Sequence, residues 1–182
     1  VLPDDRIAIN MPMENAAAKT TGSEKQWSDL YLLTAEVTED VNGLITVVLY
    51  TVSTIAREIK PTSVDRENQE AIWGPWGGEG LDPTESQLRI KKNDDGTFDW
   101  SLEVWPKCEE DQAVAVVDGS VDAGATRHDN SGRFVIDFTS LNTMDPTEET
   151  TGLFSVDYAI DTAGAHSDVD FEDFENSADA HY

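Results

Sequence analysis

Cysteine is almost absent. One residue, Cys108, stands in a chain of 182, so no internal disulfide can staple the fold. Its segment, Lys107-Cys108-Glu109-Glu110-Asp111, is rich in carboxylates. Negative neighbours disfavour a further anion, which argues against a nucleophilic thiolate. Pairing with a cysteine of another chain stays open.

Basic residues are also scarce. Twelve Lys and Arg face 37 Asp and Glu, for a formal net charge of -25. After Lys107 only Arg127 and Arg133 remain, so the C-terminal half presents acid almost alone. Phosphate repels such a surface, which excludes nucleic acid and anionic membrane as expected partners. Cations are attracted instead: metal ions, amines or basic peptides. Another protein subunit is the further partner expected. The same composition suits a salt-rich or extracellular medium, where screening tolerates self-repulsion.

Long apolar runs are missing. The longest, residues 44–52, is too short to span a bilayer, and no stretch reads as a signal peptide. The chain opens at Val1 rather than Met, which raises the expectation that a signal segment, a propeptide or an expression boundary lies upstream.

Catalytic signatures are missing too. There is no G-x-S-x-G elbow, S-x-x-K, HExxH or CxxC. Gly77-Gly78-Glu79-Gly80 lacks the lysine of a phosphate loop, and its acid repels phosphate. Carboxylate pairs are too abundant to signal glycoside chemistry. The expectation is a protein that is not an enzyme and carries no cofactor, with calcium as the one ion its acids invite.

What is present is alternation. An aspartate between two apolar residues recurs at Phe98-Asp99-Trp100, Ile136-Asp137-Phe138, Val156-Asp157-Tyr158 and Val169-Asp170-Phe171. That is the period of a strand with one face in a core and one in water. Residues 97–104 put Phe98, Trp100, Leu102 and Val104 on one face. Residues 133–139 do the same with Phe134, Ile136 and Phe138, and residues 153–160 with Phe154, Val156, Tyr158 and Ile160. Asn93-Asp94-Asp95-Gly96 is a strong turn. Strand, turn and strand repeat through residues 87–174, which predicts an antiparallel meander.

Residues 28–60 read two ways. Leu30, Leu33, Val37, Val41, Leu44, Val48, Val52, Ile55 and Ile59 recur at threes and fours, with charges opposite, from Ser28 as cap to Pro61 as stop. The rival is a hairpin turning at Asn42-Gly43. The helical stripe fits the whole segment and alternation only fragments, so a helix is expected. The chain then divides, as one domain over residues 1–182, into an extended N-terminal segment (1–27), a helix (28–60) and a mostly β remainder (61–182). The fold class predicted is α+β: one long amphipathic helix packed on a curved antiparallel β-meander or partly closed β-barrel.

Three tryptophans are candidate ligand contacts. Trp73-Gly74-Pro75-Trp76-Gly77-Gly78 sets two indoles in a glycine-rich loop, and Trp105-Pro106 ends a strand. Closure of a sheet end explains such residues equally well. For metal, His166, Asp168 and Asp170 alternate and so share a strand face. Asn93–Gly96 and Asp168-x-Asp170-x-x-Asp173 offer oxygen ligands but lack the spacing of a calcium loop.

The ordered set Leu30-Tyr31, Val41-Asn42-Gly43, Pro61-Thr62-Ser63, Ala71-Ile72-Trp73-Gly74-Pro75-Trp76, Leu81-Asp82-Pro83 and Asp95-Gly96-x-x-x-Trp100 resembles a group of uncharacterised bacterial envelope lipoproteins, over roughly residues 28–105. The resemblance implies export and envelope anchoring through an N-terminal lipid-bearing cysteine, which this chain does not carry at its start. It transfers no activity to any residue. The function expected is therefore an exported, extracytoplasmic, non-enzymatic acidic protein of an envelope (periplasm or outer surface) or extracellular assembly, serving as a binding or structural component. The alternative is a carrier of a small apolar or aromatic ligand between helix and sheet, gated by Trp73 and Trp76.

Overall fold

The computed structural model describes residues 29–77, 83–124, 126, 129–145 and 150–176. The extended N-terminal segment expected at residues 1–27 lies outside them. A helix, α1 (Asp29–Glu58), leads into strands β1 (Ser63–Asp65), β2 (Glu70–Gly77), β3 (Thr84–Lys92), β4 (Phe98–Pro106) and β5 (Val114–Val121). Then come β6 (Asn130–Asp137), a second helix α2 (Phe138–Met144), β7 (Thr150–Ile160) and β8 (Ala165–Asn176). Each strand pairs antiparallel with the next in chain order.

This corrects the predicted fold class. The structure is mostly an eight-stranded antiparallel sheet with two helices, not one long helix on a curved meander or barrel. The sheet does not close: β1 and β8 stand at its two edges. Two further differences have local causes. β1 has three exposed residues and exists through its ladder to β2, a non-local partner that no local pattern announces. And Asp137, read as the middle of a strand, is the N-cap of α2: its carboxylate accepts the Ser140 N–H at 2.9 Å and the Ser140 hydroxyl at 2.7 Å. Phe138 and Leu141 then pack against the core from the helix.

Residues 29–58 are helical because apolar positions recur on one face. Val41, Ile45, Leu49 and Val52 are spaced by fours and threes and are all buried. They belong to the same buried cluster as Leu88, Phe134, Phe154 and Val156 of the sheet. Asn42-Gly43 is mid-helix and makes no hairpin. At the C-terminal end, the Trp73 indole N–H donates to the Ile59 carbonyl at 2.8 Å. That carbonyl is past the last intrahelical acceptors, so the bond satisfies an end group and ties the helix exit to β2.

The inner face of the sheet is organised in rows across the strands. One row runs Ala71, Ile90, Trp100, Gly119, Phe134, Val156, Val169. Its glycine is required: a Cβ at Gly119 would fall inside the Trp100 indole. The next row, Phe98, Val121, Gly132, Tyr158, repeats the device, because a Cβ at Gly132 would lie 2.6 Å from the Tyr158 hydroxyl oxygen. Each ring thus occupies space that a neighbouring strand leaves empty. Trp100, Phe134 and Phe154 follow one another with ring centres 6.4 Å apart at each step.

Gly119→Ala is expected to destabilise the fold by about 1–3 kcal/mol through overpacking. Gly43→Ala, exposed with no atom within 4 Å of the added carbon, is expected to stabilise it by up to about 1 kcal/mol. Urea denaturation followed by circular dichroism measures both, and a neutral Gly119→Ala would contradict the packing described.

Candidate functional site

An apolar pocket lies between the end of α1 and the inner sheet face. It has a volume of about 250 Å³. Val52, Ala56 and Arg57 wall it from the helix, and Ile90, Phe98 and Trp100 from β3 and β4. No carboxylate lines it. Trp100 is 4 % exposed, and its indole N–H has no hydrogen-bond partner among the described residues. A recess of about 400 Å³ adjoins it, sharing Ile90 and Phe98 and bordered by Lys92 and Arg66 as well as Asp65 and Glu70. Lys92 Nζ sits 6.0 Å from the centre of the Phe98 ring.

The three predicted tryptophans hold three separate positions. Trp73 is buried, gives its N–H to Ile59, and borders the recess rather than the pocket. Trp76 is half-buried against the core, beyond a bulge between Trp73 and Trp76. The Gly74–Pro75 peptide within that bulge is cis, and Gly74 packs so close to β3 that a Cβ would meet the Ser86 carbonyl at 2.9 Å. Trp105 is 1 % exposed, points to the face of β4 that carries Ser101 and Glu103, and donates to Glu85 Oε2 at 3.1 Å. It does not belong to the main buried cluster.

His166, Asp168 and Asp170 do share one exposed face of β8. His166 Nε2 is 3.0 Å from Asp168 Oδ2, with both side chains more than 70 % exposed. Among the described residues no three His, Cys, Asp or Glu side chains converge to hold a metal ion. The Asn93–Gly96 acids serve the β3–β4 turn. Asp95 accepts from the Thr97 hydroxyl at 2.7 Å and the Thr97 N–H at 3.0 Å, which holds its carboxyl below the usual range. Cys108 is exposed in the turn after β4.

The sequence reading missed a polar cluster on the outer face. Glu103 accepts from Gln87 at 2.6 Å and from Arg89 Nε at 3.0 Å, and Arg89 reaches Glu70 at 3.0 Å. Burial pushes Glu103 up, but the bonds from Arg89 and Gln87 outweigh it and hold the carboxyl below its ordinary value. The register was in principle legible: a turn at Asn93–Gly96 sets Gln87 opposite Glu103 and Arg89 opposite Ser101. Further across, the outer face of β5–β8 carries Asp118, Asp157, Asp168, Asp170 and Glu172, with Arg133 as the one Lys or Arg there among the described residues. Asp157 stands directly opposite Asp168. Burial, then the charges of Glu103 and Asp137, push Asp118 up.

No family model matches the chain, and neither a curated protein nor a solved structure matches it. Among the described residues no helix is long and apolar enough to cross a membrane.

Asp118 fixes the sign of a pH dependence. A carboxyl raised in the fold opposes folding once ionised. That penalty is complete above its raised folded value and vanishes below its ordinary one. Asp118→Asn is therefore expected to stabilise the protein at pH 7, by at most about 1 kcal/mol after solvent screening. The gain should shrink as pH falls through the carboxylate range. Thermal melts of both proteins at pH 7 and pH 3.5 check it; an equal difference at the two pH values would refute the assignment.

Proposed function

We propose that the chain is a non-enzymatic, exported acidic protein that binds a cationic segment of a protein partner in an envelope or extracellular assembly. The observation that carries this reading is the outer face of β5–β8, where five carboxylates meet one arginine. Opposed like charges such as Asp157 and Asp168 destabilise a ladder unless a cation bridges them, so a basic partner gains where the free protein loses. β8 has no further strand beside it among the described residues, and its alternating Asp168, Asp170 and Glu172 repel a second copy while matching a basic strand. A second reading, carriage of a small apolar or aromatic ligand, is favoured by the pocket under α1; in it Trp100 takes the place expected of Trp76.

A peptide alternating lysine with valine is the probe for the face. Asp168→Asn, Asp170→Asn and Glu172→Gln together are expected to weaken it about tenfold, as three exposed charges of up to about 0.5 kcal/mol each allow. Glu109→Gln, Glu110→Gln and Asp111→Asn remove the same charge from an exposed turn and should leave binding nearly unchanged. Equal losses in both triple variants would reduce the effect to net charge and remove the reading. Export is tested separately, by expressing the gene with its native upstream region and fractionating the cells; a cytosolic product would overturn that part.

A further inference from the structure

We infer that the pocket under α1 takes a small apolar molecule ending in a carboxylate, with the apolar part inside and the carboxylate at Arg57. The inference rests on the carrier reading and names its ligand class. Three observations support it. The first is charge: in a chain with three acids for every base, the lining contains Arg57 and no acid. The adjoining recess sets Lys92 and Arg66 against Asp65 and Glu70 and so adds no net charge, which leaves Arg57 as the charge on the pocket wall. The second is the wall itself, Val52, Ala56, Ile90, Phe98 and Val121, which offers dispersion contact and no competing polar group beyond Ser53. The third is Trp100, whose buried indole lines the pocket and adds an aromatic surface to the apolar wall.

Arg57 is free to serve. Its side chain is 63 % exposed, and among the described residues it pairs with the adjacent Glu58 at 3.3 Å, about as exposed. A pair of that kind is too weak to compete with a carboxylate fixed at the mouth by a buried apolar body. The volume of about 250 Å³ suits a chain of eight or so carbons or a fused bicyclic ring.

Octanoate, octanol and octylamine share one apolar body and differ in charge, which separates the two readings. Titration calorimetry and tryptophan fluorescence on the whole chain are expected to rank octanoate first, octanol about fivefold weaker and octylamine weakest. Arg57→Gln should bring octanoate down to the level of octanol and leave octanol unchanged. Ala56→Trp should abolish both by filling the pocket. Its folding is checked by its melting curve, and Ser53→Leu at another wall position gives the same readout if it fails. Equal affinity for octanoate and octanol, or no effect of Arg57→Gln, overturns the carboxylate assignment and leaves the carrier reading standing. No binding of any of the three removes the carrier reading and this inference with it.

Discussion

The Trp100 indole lies across Gly119, and the filling of the inner sheet face follows from that contact. A side chain at position 119 would separate Trp100 from Phe134. Its absence lets an aromatic seam pass over β5 from β4 to β6 and on through Phe154 to Phe171. Gly132 and Tyr158 repeat the arrangement one row away. The device has a cost, because both the Trp100 N–H and the Tyr158 hydroxyl end up buried without a partner among the described residues. Each orphan costs about 1–3 kcal/mol. Burying an aromatic ring removes roughly 150–250 Å² from water, worth about 4–6 kcal/mol. The ring term wins, so glycine is retained where a sheet would ordinarily prefer a β-branched residue.

Sidedness was the most legible part of the fold. Asp99, Asp157 and Asp170 are exposed on strands whose flanking apolar residues face inward, as alternation requires. Ile136-Asp137-Phe138 has the same local pattern and a different outcome. An aspartate between apolar residues can be the outward residue of a strand or the cap of a helix, and Ser140 three positions on supplies the bonds that decide for the cap. Closure of the sheet was not legible at all. Whether eight strands join into a barrel depends on twist and shear accumulated over the whole ladder, and no single segment encodes that. Asn42-Gly43 shows the converse: its turn chemistry yields to four buried positions along one helix face, because burial outweighs the local preference of two residues.

The site was less legible than the fold, for a specific reason. Trp100 sits in the cleanest alternating strand of the chain, so it reads as ordinary core. What distinguishes it is the glycine opposite, and finding that needs the β4–β5 register. A bulge between Leu102 and Glu103 shifts that register, so counting outward from the loop gives the wrong partner. The Trp73–Trp76 loop drew attention because glycine, proline and tryptophan are conspicuous together. Their composition reflects a backbone pressed against β3 at Gly74, which is a packing requirement.

The two faces of the sheet separate by polarity, with the carboxylates of β5–β8 on the outer one. An acid on the inner face would pay desolvation with no partner, so an acid-free pocket wall follows from alternation alone. The cation at the pocket mouth does not follow from alternation. Arg57 occupies the last turn of α1, where the helix dipole favours it by about 0.3–1 kcal/mol. That preference and the exposed Glu58 pair, which takes one Nη2 donor, place a guanidinium at the rim with its other donors available. A net charge of -25 repels small anions from the molecule as a whole, so any attraction for a carboxylate has to be local, at a group such as Arg57. A rim arginine beside an apolar pocket wall therefore joins a local positive charge to a local hydrophobic surface.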